Sequence, residues 1–198
     1  MKYLNQLEYK HIPYRTYMND PTKTDEERLK SVSGSGCGLC CAAMAVQYLT
    51  PMTLTVEDCV KISETAGANH SRGTDMKILG PAIAEKYNLE YITTSELAEA
   101  IRYLREGAQI IAHVGVPEGR EIGLFTKGGH YILLTSTDGA EFCILDPSYT
   151  PEKFEIPERA GKVNTKNAPY LYCDVNTVDS ECKKDRIKYH VLRRRRNK

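Results

Sequence analysis

Long apolar runs are missing from this 198-residue sequence. No stretch approaches the ~18 consecutive apolar residues that a membrane-spanning helix requires. The start, MKYLNQLEYK, lacks the apolar core of a signal peptide, which favours a cytoplasmic protein and leaves export open. Internal repeats and low-complexity blocks are absent, and the composition excludes disordered and collagen-like classes. There is no phosphate-binding G-x-x-x-x-G-K-[ST] and no zinc-protease H-E-x-x-H. Basic patches interleaved with aromatics are lacking, so no strong nucleic-acid signal is present. A bulk excess of one charge is missing too: 27 Lys and Arg face 26 Asp and Glu. The cysteines number seven (Cys37, Cys40, Cys41, Cys59, Cys143, Cys173 and Cys182). That odd count and irregular spacing argue against a disulfide framework and for a reducing compartment.

What is present fits a globular protein. The hydrophobic fraction is 41% and the mean hydropathy −0.46. The length suits one domain spanning residues 1–198. The balanced charge hides an asymmetry. Residues 183–198 carry nine Lys and Arg and one Asp, a net +8, which leaves −7 on residues 1–182. This predicts a solvated basic end, available to an acidic partner.

Residues 1–36 read as irregular and end in a Ser/Gly loop, SVSGSG. After Cys37 the run GLCCAAMAVQYL predicts a buried helix, stopped by Pro51. A second helix is expected from a Thr55 cap to Gly67. A third spans about Thr74 to Tyr87, with Pro81 inside it. A short strand, LEYIT, follows, and Ser95 is the expected cap of a fourth helix ending at Gly107. Then the pattern changes to strands: QIIAHVGV, HYILLTST and EFCILD. The last two are joined by Thr137-Asp138-Gly139-Ala140, which predicts an antiparallel hairpin. YLYCDV and RIKYHVL read as strands that extend the sheet. Helices first and a sheet second give an α+β class.

Cys37 stands out chemically. It follows a Gly/Ser loop and opens a buried helix, where orphan N–H groups and the helix dipole favour a thiolate. The same N–H groups can receive an oxyanion. A thiolate nucleophile needs a base, and the base needs an orienting group. Gly128-Gly129-His130 opens one strand of the predicted hairpin and Asp146-Pro147 closes the other, which puts His130 and Asp146 at the same end of the sheet. His113 lies inside an apolar strand and reads as a core or sheet-face residue. His11, His70 and His190 sit in polar surroundings with no visible partner.

Two other readings compete for the same cysteines. Cys37-Gly38-Leu39-Cys40 is a C-x-x-C at a helix start, but no buried strand runs directly into it, as redox folds require. Zinc binding by Cys37, Cys40 and Cys41 would want a second pair at similar spacing, and Cys173 and Cys182 are nine residues apart. The expectation is therefore no metal and no cofactor.

Three segments, GSGCGLCCAAMAVQYL, GTDMKILGPAIAEKYNLEYI and FTKGGHYILLTSTDGAEFCILDPS, occur in that order. Together they resemble the stand-alone cysteine peptidase family thirty-nine-like proteins. These are bacterial papain-fold proteins related to the peptidases that trim bacteriocin leaders. The resemblance covers roughly residues 12–150 and leaves 151–198 as a C-terminal extension. It implies a papain-like fold, with a helical half carrying the cysteine and an antiparallel sheet carrying His and Asp. It implies a thiol peptidase with Cys37 as nucleophile, His130 as general base and acid, and Asp146 as orienting carboxylate, acting on a peptide or protein substrate without a cofactor. One position departs from the family pattern. Where a Gln usually supplies half of the oxyanion hole after an apolar-Pro-Tyr segment, Ile12-Pro13-Tyr14 is followed by Arg15, Thr16 and Tyr17. Tyr17, or Asn19 with a small register shift, would have to donate instead. Losing such a donor costs ~2.7–4 kcal/mol in the barrier. That departure keeps two alternatives in view: an acyltransferase or effector using the same thioester chemistry, and a catalytically degenerate peptide-binding module.

Overall fold

The computed structural model describes residues 2–70, 72–183 and 186–195. The first part of the chain holds a 3-10 turn (Gln6–Glu8) and two single helical turns, α1 (Asp25–Arg28) and α2 (Val32–Ser35). SVSGSG is thus not wholly irregular. Four of its residues close one turn of helix, and Gly36 both ends α2 and caps the next helix.

α3 (Cys37–Leu49) is the predicted central helix, and ten of its thirteen residues are buried. α4 (Val56–Ala66) starts where Thr55 accepts from the Asp58 N–H and stops at Gly67, whose φ of 73° is the left-handed value only glycine adopts freely. α5 (Met76–Lys86) carries Pro81 within it. Gly80 is required there, because a Cβ would meet the Tyr91 ring at 2.2 Å. β1 (Leu89–Thr94) follows, then α6 (Leu97–Arg105). The cap of α6 is Glu96, without a side-chain bond, rather than Ser95.

Six further strands complete one sheet: β2 (Gln109–Val114), β3 (His130–Thr137), β4 (Glu141–Leu145), β5 (Asn164–Asn167), β6 (Tyr170–Asp174) and β7 (Tyr189–Arg194), with α7 (Val175–Glu181) between β6 and β7. Their order is β1-β7-β2-β3-β4-β6-β5, and every neighbouring pair is antiparallel. β6 extends the sheet as expected. β7 does not: it lies inside, between β1 and β2.

Both faces of the sheet are covered, which explains strands that are apolar at nearly every position. Alternate residues point to opposite sides. Ile111, Tyr131, Leu133, Leu145 and Leu192 pack with α3, α4 and α5. Ile110, Ala112, Ile132, Leu134 and Ile144 pack with α6 and α7 on the other side. The result is mixed α and antiparallel β, with the Cys37-bearing helix against the sheet, as the α+β reading expected. No helix among the described residues is long and apolar enough to cross a membrane.

The basic end is not simply solvated. Arg193 pairs with Glu90 at 2.7 Å, and Lys188 with Asp179 at 2.9 Å. Arg194 and Arg195 donate to the carbonyls of Leu49 and Leu89. Lys184, Asp185 and residues 196–198 lie outside the described residues.

Candidate active site

The site forms where the start of α3 meets the ends of β3 and β4. Gly36 caps α3 and has no side chain to occupy the first N–H groups of the helix. Cys37 is half-buried at that point, the only one of the seven free cysteines that is not fully buried. His130 is the first residue of β3, and Asp146 lies one residue past β4. The hairpin turn between them is held by Asp138, whose carboxylate accepts from the Ala140 and Glu141 N–H groups, and by Gly139 at φ 103°.

The structure brings Cys37, His130 and Asp146 together. His130 Nε2 lies 2.7 Å from Asp146 Oδ1. With Nε2 committed there, Nδ1 is the nitrogen left for the Cys37 thiol, and the two groups act on each other's charge. Burial pushes the Cys37 thiol up. The hydrogen bond and charge of His130, then the Tyr131 and Gly38 backbone N–H groups, outweigh it and bring the thiol below its ordinary value. Burial pulls the His130 imidazole down, but Asp146 and then Cys37 hold it above its ordinary value. The directions are those of a thiolate–imidazolium pair.

Asp146 has no exposed surface. Burial would raise its carboxyl, yet Lys153 first and His130 second hold it well below the usual carboxylate range. Lys153 Nζ lies 2.5 Å from Asp146 Oδ2 and donates to Ser148 Oγ at 2.7 Å. Ser148 donates its N–H to Asp146 Oδ1 at 2.9 Å, and its Oγ lies 3.1 Å from both Oδ1 and His130 Nε2. Sequence reasoning missed Lys153 and Ser148. Asp146-Pro147-Ser148 does carry a readable signal, an Asx-type turn in which the Asp side chain accepts the N–H two residues on. Nothing marks Lys153.

The N-terminal segment ties the two walls together. Tyr3 donates its hydroxyl to the Asp146 carbonyl at 2.5 Å, and Asn5 donates to the Tyr149 carbonyl at 2.8 Å. The Gln6 N–H donates to the Pro147 carbonyl at 2.7 Å, while its side-chain amide donates to the Ser33 carbonyl, in the turn before Cys37, at 2.8 Å.

The two expected oxyanion donors sit differently. Asn19 is exposed and its amide nitrogen faces His70 Nδ1, so His70 has a partner after all. Tyr17 is half-buried, with φ of 56° and Lys23 above its ring at 5.4 Å. His190 is also not a lone polar histidine. It is buried, bonds Tyr91 Oη through Nδ1 at 2.7 Å, and burial followed by the His113 and Lys77 charges pulls its imidazole down to about 3. His113 is half-buried with its ring centroid 4.5 Å from that of Tyr131.

Cys40 and Cys41 do not share the environment of Cys37. Both are fully buried, and burial pushes each thiol far above its ordinary value. Cys41 donates to the Tyr131 carbonyl. A redox partner must form a thiolate, and Cys40 is placed against that.

The crystal structure of a Bacillus anthracis protein classed as a C39-like peptidase is similar across 100% of both chains, with a TM-score of 0.55 at 12% identity. At that identity the likeness speaks to fold alone. No curated protein matches the chain significantly. The model of the Peptidase_C39 like family matches residues 2–166, and with a match over that much of its length the chain belongs to the C39-like peptidase family.

Proposed function

We propose that the chain is a cysteine peptidase in which Cys37 is the nucleophile, His130 the general base and acid, and Asp146 the carboxylate that orients His130. One observation carries the reading: Asp146 holds His130 through one ring nitrogen at 2.7 Å, and the His130 imidazole and the Cys37 thiol, brought to the same end of the sheet, shift each other towards the ion pair. The Cys37 sulfur attacks the scissile carbonyl carbon, and the carbonyl oxygen becomes an oxyanion. The Cys37 N–H at the start of α3, where Gly36 offers no side-chain acceptor, receives that charge. Of the two side-chain candidates Tyr17 is the one available to donate, with no hydrogen bond to its hydroxyl among the described residues, whereas the Asn19 amide is committed to His70. As the C–N bond breaks, His130 passes its proton to the leaving amine. Water then gives a proton to His130 and attacks the thioester. The acid product departs and the thiol is restored.

The test is alkylation with iodoacetamide at mildly acidic pH, followed by peptide mapping. Cys37 is expected to react at least on the order of tenfold faster than the other six thiols, because only it has thiolate character. His130→Ala should remove most of that advantage. Equal labelling of all seven cysteines would overturn the proposal. With a cleavable peptide, product masses separate hydrolysis, which adds water, from acyl transfer, which yields a conjugate.

A further inference from the structure

A cavity of about 310 Å³ opens beside His130, and Cys37 is not among its walls. Its walls include Thr126, Lys127, Thr150, Lys153 and Arg159 together with His130 itself. Three cations line it and no carboxylate does. Lys153 is discharged on Asp146. Arg159 is not comparably paired. It is 5% exposed, its Nε donates to the Gly123 carbonyl at 3.0 Å, and its Nη1 donates to the Lys153 carbonyl at 3.2 Å. Both acceptors are neutral, and no carboxylate lies within ion-pair distance of Arg159 among the described residues. The nearby Glu181 is already taken by Arg120 and by the Leu124 N–H. At the rim, Lys127 is exposed and has no ion pair among the described residues. The Thr126 hydroxyl accepts from the Gly128 N–H and keeps its own proton for another acceptor.

A buried guanidinium that faces a cavity and holds no ion pair, with Asp146, Glu181 and Glu158 acting on it only from farther off, is an arrangement that binds a carboxylate, since the planar fork offers two parallel donors. The volume is at the small end for a ligand pocket, room for a side chain or a chain end rather than an extended peptide. Position adds direction. His130 hands its proton to the leaving amine, so the part of the substrate beyond the scissile bond departs along the wall that His130 shares with this cavity.

We propose that the cavity is an anion subsite on the leaving-group side, which selects peptides carrying a carboxylate shortly after the scissile bond. This rests on the peptidase reading for its orientation. The carboxylate is either an acidic side chain or the free C-terminus of the leaving peptide.

The experiment is a titration of the Cys37→Ala protein, followed by NMR at low salt, with three probes. Ala-Glu-amide carries only a side-chain carboxylate, Ala-Gln only a terminal one, and Ala-Gln-amide neither. At least one of the first two should bind on the order of tenfold more tightly than the third, as one charge-assisted hydrogen bond implies. The shifts should centre on Thr126, Thr150 and Arg159, and the better probe identifies the source of the carboxylate. Lys127→Glu, at an exposed rim position, should abolish the preference without disturbing the fold. Arg159→Gln should do the same where its spectrum shows a native fold. Equal binding of all three probes, or a preference untouched by Lys127→Glu, would overturn the proposal. Because no turnover is read, the two failures are distinguishable: fast labelling without carboxylate preference sinks the subsite alone, whereas carboxylate preference without fast labelling sinks the peptidase reading and with it the leaving-group role of the cavity.

Discussion

A carboxylate with no exposed surface keeps its charge only if its neighbours replace the lost water. Asp146 has His130, Ser148 and Lys153 for this, and Lys153 is itself only 10% exposed on its side chain. Removing one member of such a pair leaves the other uncompensated, so Lys153→Met should cost about 3–5 kcal/mol, measured by urea unfolding. The sign with pH follows from Asp146, whose folded pKa is depressed. Its stabilisation is present above the unfolded value of ~3.9 and is lost as pH falls below it. Lys153→Met should therefore flatten the acid loss of stability. Turnover should follow a bell in pH. Its acid limb belongs to Cys37 and sits below the ordinary thiol range, and its alkaline limb belongs to His130 and sits above the ordinary imidazole range. Lys153→Met should move the alkaline limb upward, because Asp146 then acts on His130 unopposed. An unmoved limb would confine Lys153 to a structural role. At this scale the sequence was legible where two residues end the two strands of one hairpin, as His130 and Asp146 do. It was silent on Lys153, which arrives from a 3-10 turn, Pro151–Phe154, with no periodic pattern to announce it.

At the scale of elements, the turn before Cys37 is a tightly constrained piece of backbone. A Cβ on Gly36 would lie 2.4 Å from Val32 Cγ1, 2.7 Å from the Val32 carbonyl oxygen and 2.9 Å from Val32 Cα. Two of these are backbone atoms, so no rotamer change relieves the clash. Gly36→Ala should destabilise by about 1–3 kcal/mol, as overpacking does. It should also slow Cys37 alkylation by shifting the start of α3. Wild-type reactivity in a folded Gly36→Ala protein would show that the α2–α3 junction does not position the thiol. The helices themselves were readable from caps and stops: Thr55 and Gly67 bracket α4 as their chemistry demands. α2 was not, because four residues rich in Ser and Gly carry no helical propensity. Their turn is closed by the Gly36 N–H bonding the Val32 carbonyl at 2.7 Å and by burial of Val32.

For the molecule as a whole, the decisive placement is β7. Its residues come last among the described strands, yet they pair with β1 on one side and β2 on the other. Ending the chain after Arg186 should therefore split the sheet and leave β1, with α5 upon it, without a partner. Far-UV circular dichroism should show loss of cooperative unfolding, whereas a chain that still unfolds in one sharp transition would mean that β1 and β2 can close directly. Strand character in RIKYHVL was visible from composition. Its central position was not, because alternation says that a strand has two faces and nothing about which edges it joins. The strap formed by residues 3–6 has a consequence in time rather than in energy. Its bonds reach the Asp146 turn and the Ser33 turn at once, so the two walls of the cleft can part only when several bonds open together. The Gln6 amide then becomes a clock for that opening: its hydrogen exchange should be strongly protected and should quicken in Tyr3→Phe. Exchange at the speed of a free amide would mean that the walls move independently.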